Sequence, residues 1–145
     1  MEEGQWILEH TLSRASPFYW KIDEEGNVAI KRKIKNMNVS LVRNIPAADL
    51  HKLHAYLSDG AWRPLANNVE KLRLKKEKEG FGRFLYENLK MNEGGVQVSS
   101  QLGAIFSNSG AWLYNGKKRS MGFKRKTEDW LKAVRCYYVI RCRER

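Results

Sequence analysis

A mixed α+β fold is predicted for this 145-residue chain by three observations. Residues 18–43 alternate apolar and polar side chains between turn signals, the period-two pattern of an antiparallel sheet. Beyond Pro46 the apolar residues recur at i, i+3, i+4, as in helices buried on one face. Asn115-Gly116 between two extended runs marks a β-hairpin inside the helical part. The expected architecture is a small N-terminal antiparallel β-meander followed by a helical lobe with a basic β-hairpin. It forms one compact domain over 1–145, with the meander in 1–45, the helical lobe in 46–126 and a C-terminal element in 127–145.

Residues 5–14 read equally as a short helix or a strand, because Trp6, Ile7 and Leu12 fit neither period cleanly. Three strands should follow at 18–23, 28–34 and 39–43, with turns at 24–27 and 35–38. Lys31, Lys33 and Lys35 fall on one face of the second strand. That stripe reads as the wet side of a half-buried sheet, with a phosphate-facing surface as the alternative. Pro46 suits a first helical turn, and Leu50, Leu53, His54 and Leu57 give a helical stripe ending at Asp59-Gly60. Residues 61–68 read as irregular. Asn67 or Asn68 then caps a charged, solvated helix from Val69.

Phe81, Phe84, Leu85 and Leu89 predict a helix, and Asn92 to Gly95 a turn. Residues 99–109 predict a second helix, with Ser99 as N-cap and Gly110 as its left-handed stop. Leu102, Ile105 and Phe106 mark the inward face. Ser100, Gln101, Ala104, Ser107 and Asn108 are assigned to the outward face, which carries no charge. A two-residue turn at Asn115-Gly116 should set Tyr114 opposite Lys117 and Trp112 opposite Arg119. The tail from Thr127 reads as a capped helix, or as a strand at 137–143, serving either to close the core or as a homodimer contact with a basic end.

Net charge is +11, and it is polarised. Basic and acidic residues number seven and seven in 1–50, nine and six in 51–100, and eleven and three in 101–145. Such concentration points to an anionic partner, nucleic acid before any other. No apolar run approaches the roughly 18 residues of a membrane span, and MEEGQW is no secretory signal, so a cytoplasmic protein is expected. Cys136 and Cys142 lie on nearly opposite faces of a helix and do not bridge; two cysteines exclude a disulfide framework.

Catalytic signatures are missing from the sequence. His51 and His54 have a chelating i, i+3 spacing but no third ligand, so a structural role is the better reading and no metal or cofactor is expected. The acidic residues do not cluster as a two-metal nuclease requires. Trp112 and Tyr114 beside Lys117 and Arg119 either stack on bases or anchor the hairpin to its core.

The helix at 81–89, the turn and the helix at 99–109, followed by a basic hairpin, resemble a winged helix-turn-helix. The resemblance implies non-enzymatic binding of double-stranded DNA, with DNA preferred over RNA. Base contacts then fall to Ser100, Gln101, Ala104 and Asn108, and phosphate contacts to Lys117, Lys118, Arg119, Lys124, Arg125 and Lys126. An accessory module binding an acidic protein, and single-stranded RNA binding through the aromatic hairpin, are the alternatives.

Overall fold

The computed structural model describes residues 4–33 and 39–144. Its first layer is a four-stranded antiparallel sheet in sequence order: β1 (Ile7–His10), β2 (Pro17–Ile22), β3 (Val28–Lys33) and β4 (Ser40–Ile45). The meander therefore gains a strand, since the ambiguous segment at 5–14 supplies β1, pairing Ile7 with Trp20 and Leu8 with Tyr19. Phe18, Trp20, Ile22, Val28 and Ile30 alternate into the core, and Tyr19 and Val42 stand out of it. The turn expected at 35–38 and the Lys35 position lie outside the described residues. Lys31 and Lys33 share the open face, where the Lys31 ammonium sits over the rings of Trp6 and Tyr19 at 4.4 and 5.4 Å.

Helix α1 (Ala47–Tyr56) follows Pro46 and buries Leu50, Leu53 and His54. The 61–68 segment is not wholly irregular. Arg63–Pro64 forms a short strand, β5, that pairs with the hairpin through Arg63 opposite Phe123. Asn68 caps α2 (Val69–Arg73), its side chain accepting from the Lys71 amide at 3.1 Å. The helix expected at 81–89 begins as one α-turn, α3 (Phe81–Arg83), and widens into a π-helical turn at Phe84–Asn88. The expected turn at 92–95 is itself helical: Asn92 caps α4 (Glu93–Val96).

Helix α5 (Ser99–Asn108) lies in the middle of the molecule, packed on β1, on β6 (Trp112–Tyr114) and on the C-terminal helix α6 (Trp130–Arg143). It has no side-chain cap: Val98 occupies the cap position, and the Ser99 hydroxyl accepts from the Asn67 amide at 3.0 Å instead. Gly110 does end the helix with φ +86°. The tail is helix rather than strand, because Trp130, Val134 and Tyr138 recur every four residues and all three are buried. Its cap is Asp129, not Thr127.

One cluster of buried apolar side chains runs from Ile7 through α1 and α5 to Tyr138. At its centre Phe106 lies between the rings of Trp112 and Trp130, 4.3 and 5.4 Å away by ring centroids. A winged helix-turn-helix is not confirmed by these elements. The two predicted helices are separated by α4, and the second is a core element.

Candidate nucleic-acid interface

Strands β6 and β7 (Gly122–Arg125) form the expected hairpin in a different register. Tyr114 faces Phe123 and Trp112 faces Arg125, so residues 115–121 make a seven-residue loop rather than a two-residue turn. A type I′ turn needs φ > 0 at both central residues. Gly116 supplies it at +77°, but Asn115 is not among the residues with positive φ. The Asn115 side chain instead ties the loop together. Its Oδ1 accepts from the Lys117 amide and its Nδ2 donates to the Ser120 carbonyl, both at 3.0 Å.

The hairpin carries the basic residues singled out above. Lys117, Lys118, Arg119 and Lys126 are exposed, and Lys124 and Arg125 are half-buried. Among the described residues, none of the six reaches a carboxylate within ion-pair distance. Arg125 is held at its Nε by the Thr127 carbonyl at 3.3 Å.

Two of the four expected base-reading residues are covered. Gln101 is 8% exposed and Ala104 is 0% exposed, so neither presents an edge or a methyl to a groove. Ser100 is half-buried, and its hydroxyl lies 3.5 Å from the Asn67 amide that donates toward it. Asn108 is exposed at the far end of the helix and donates to Glu9 Oε2 at 3.4 Å. A helix covered at Gln101 and Ala104 does not offer that face to a major groove.

Trp112 is likewise core and not a stacking platform: it is buried, its ring centroid lies 4.7 Å from that of Phe81, and its indole is hydrogen-bonded to His54. Tyr114 is half-buried, its hydroxyl donating to the Lys117 carbonyl at 2.8 Å. The aromatic that does face outward beside these cations is Trp62, just before β5. It is 48% exposed, with the Lys124 ammonium 5.1 Å above its ring. Leu113, exposed and paired with Lys124, extends this surface. The signal for Trp62 was its place before the β5 strand, which only the pairing of Arg63 with Phe123 reveals.

His51 and His54 are acceptors for indoles. Trp112 Nε1 donates to His54 Nδ1 and Trp130 Nε1 to His51 Nδ1, each at 3.0 Å. Burial pushes the His54 pKa below the ordinary histidine range. Among the described residues no group of three His, Cys, Asp or Glu side chains is placed to hold a metal, and no helix is long and apolar enough to cross a membrane.

No protein-family model, curated protein or solved structure matches the chain.

Proposed function

We propose that this protein is a non-enzymatic nucleic-acid-binding protein whose phosphate-contacting surface is the β6–β7 hairpin. The observation that carries the reading is six cations on one hairpin with no carboxylate partner among the described residues. Lysine and arginine without local counter-charges keep their full attraction for phosphate. Trp62 favours a single strand over a duplex. An exposed indole beneath an ammonium offers a base a π-face with a phosphate contact beside it. The helix-borne duplex reading loses support at Gln101 and Ala104, which are covered.

The test is binding of a fluorescent single-stranded oligonucleotide as salt is raised. Each neutralised phosphate contributes about −0.7 to the logarithmic slope for single strands, so three to five contacts give a slope of about −2 to −3.5. A flat dependence removes the hairpin reading. Capture of an acidic protein that survives nuclease treatment would transfer the basic surface to that class of partner.

A further inference from the structure

A cleft of about 840 Å3 opens where the β1–β2 loop, the ends of β2 and β3, the segment around Asn67 and the first turn of α5 come together. Small-molecule sites run from roughly 300 to 1,000 Å3. The cleft has one electrostatic sign. Arg14, Arg32 and Lys33 line it, and no carboxylate among the described residues does. None of these three cations is in an ion pair among the described residues. Arg32 Nη2 donates to Gln97 Oε1 at 2.8 Å, which fixes the guanidinium at the wall.

The uncharged polar groups gather at the start of α5. Ser100 and Gln101 line the cleft from the first turn of this ten-residue helix, whose N-terminus has no capping side chain and presents the positive end of its dipole. Gln101 is more than nine-tenths buried, and its Oε1 has no hydrogen-bond partner. That oxygen is closed off from solvent, so it is not offered to the cleft. Tyr19, Leu12 and Leu65 supply apolar wall, and Met121 brings the end of the hairpin loop to the same cleft.

We propose that this cleft holds a nucleotide unit, with its phosphate on Arg14, Arg32 and Lys33 and its base against the exposed ring of Tyr19. An inorganic anion alone leaves the apolar walls unused. A neutral apolar ligand leaves three cations unmatched. A phosphate joined to a flat ring uses both the cations and the apolar walls. The unit is either a free mononucleotide or one unstacked from a strand lying on the hairpin. The proposal does not depend on the hairpin reading.

The experiment is calorimetric titration of the full chain with the adenosine, cytidine, guanosine and uridine 5′-monophosphates, and with inorganic phosphate. At least one mononucleotide saturates a single site, more tightly than inorganic phosphate does. Arg32→Ala weakens it by about tenfold or more, the scale of one lost charge-assisted hydrogen bond. Arg14→Ala, in an exposed loop, is the second variant should Arg32→Ala fail to fold by circular dichroism. Tyr19→Ala weakens the mononucleotide and leaves inorganic phosphate unchanged. Lys117/Lys118/Arg119→Ala leaves the affinity intact, which separates this site from the hairpin. No saturation by any of the four, equal affinity for inorganic phosphate, or indifference to both arginine variants overturns the proposal. Displacement of the mononucleotide by a single-stranded oligonucleotide assigns the cleft to a nucleotide of a strand. Persistence of the mononucleotide assigns it to a free nucleotide. Both outcomes sustain the site.

Discussion

Trp112 and His54, 58 residues apart in the chain, meet in the core: the indole Nε1–H donates to His54 Nδ1 at 3.0 Å. The opposite nitrogen, Nε2, lies 2.7 Å from the Thr127 carbonyl, which only accepts, so Nε2 carries the proton. One neutral imidazole thus joins α1, the first hairpin strand and the segment leading into α6. An imidazolium has no lone pair for Trp112, so protonation breaks this junction.

Stability should therefore fall on mild acidification. The unfolded chain takes up a proton at His54 as pH drops through about 6.5, while the folded protein, with its lowered pKa, stays neutral further down. The unfolded state binds more protons in that interval, so the contribution of His54 is complete above about pH 6.5 and is lost as pH falls toward the folded pKa. Urea denaturation at pH 7.5 and at pH 5.5 measures the drop. His54→Gln keeps an acceptor without a titrating ring, so its curve should be flatter across the same interval, from a lower starting stability.

Trp112 and Trp62 should respond in opposite ways to alanine. Trp112→Ala empties a buried site and costs about 3–5 kcal/mol of folding stability. Trp62→Ala, at a half-exposed position, should leave the denaturation midpoint nearly unchanged. It should weaken single-strand binding by about 1–3 kcal/mol, the range of one lost base–aromatic stack. Paired denaturation and oligonucleotide titrations separate the two roles.

Arg141 neutralises a buried carboxylate. Its Nη1 reaches Glu9 Oε2 at 3.0 Å, and the Tyr137 hydroxyl donates to Glu9 Oε1 at 2.7 Å. Burial, then the bond to Glu9, pushes the Tyr137 phenol up to about 12. Arg141→Ala leaves Glu9 charged and buried and should cost about 3–5 kcal/mol. Adding Glu9→Gln to Arg141→Ala should recover part of that loss. Additive losses in this double-mutant cycle would show that the two side chains act independently.

Gly103→Ala should destabilise, against helix propensity. An alanine inside an exposed helix would gain about 1 kcal/mol over glycine. At Gly103, however, a Cβ would stand 2.7 Å from the Phe123 ring, with Phe123 fully buried. Overpacking costs about 1–3 kcal/mol, so the net sign is loss. Gly103→Ala with Phe123→Leu should regain stability relative to Gly103→Ala alone, as read by thermal melting.

The sheet was legible because Val28 and Ile30 fall on the face opposite Lys31 and Lys33, although Ala29 is buried too, and α1 because Pro46 and the Leu50–Leu57 stripe agree on one element. The hairpin was legible but its register was not. Asn115-Gly116 predicts two positive φ angles, and hydrogen bonds from the Asn115 side chain stabilise a wider loop instead. The reading of α5 failed for a more general reason. Periodicity tells a covered face from a wet one when one side is charged, and α5 has no charge on either side. Small polar residues such as Ser100 and Gln101 suit a groove of DNA and also suit close packing inside a protein. The Glu9–Arg141 pair left no local mark, because its two halves stand at opposite ends of the described chain.

Glu9 and Arg141, 132 residues apart, also set an order of events. A ribosome delivers β1 first and α6 last, so the Glu9 carboxylate meets its cation only when nearly the whole described chain has been made. Until then the inner face of the meander lacks the rings of Tyr137 and Tyr138 that cover Trp20. The nascent chain must hold that aromatic face open to water, or to a chaperone, until α6 has been made.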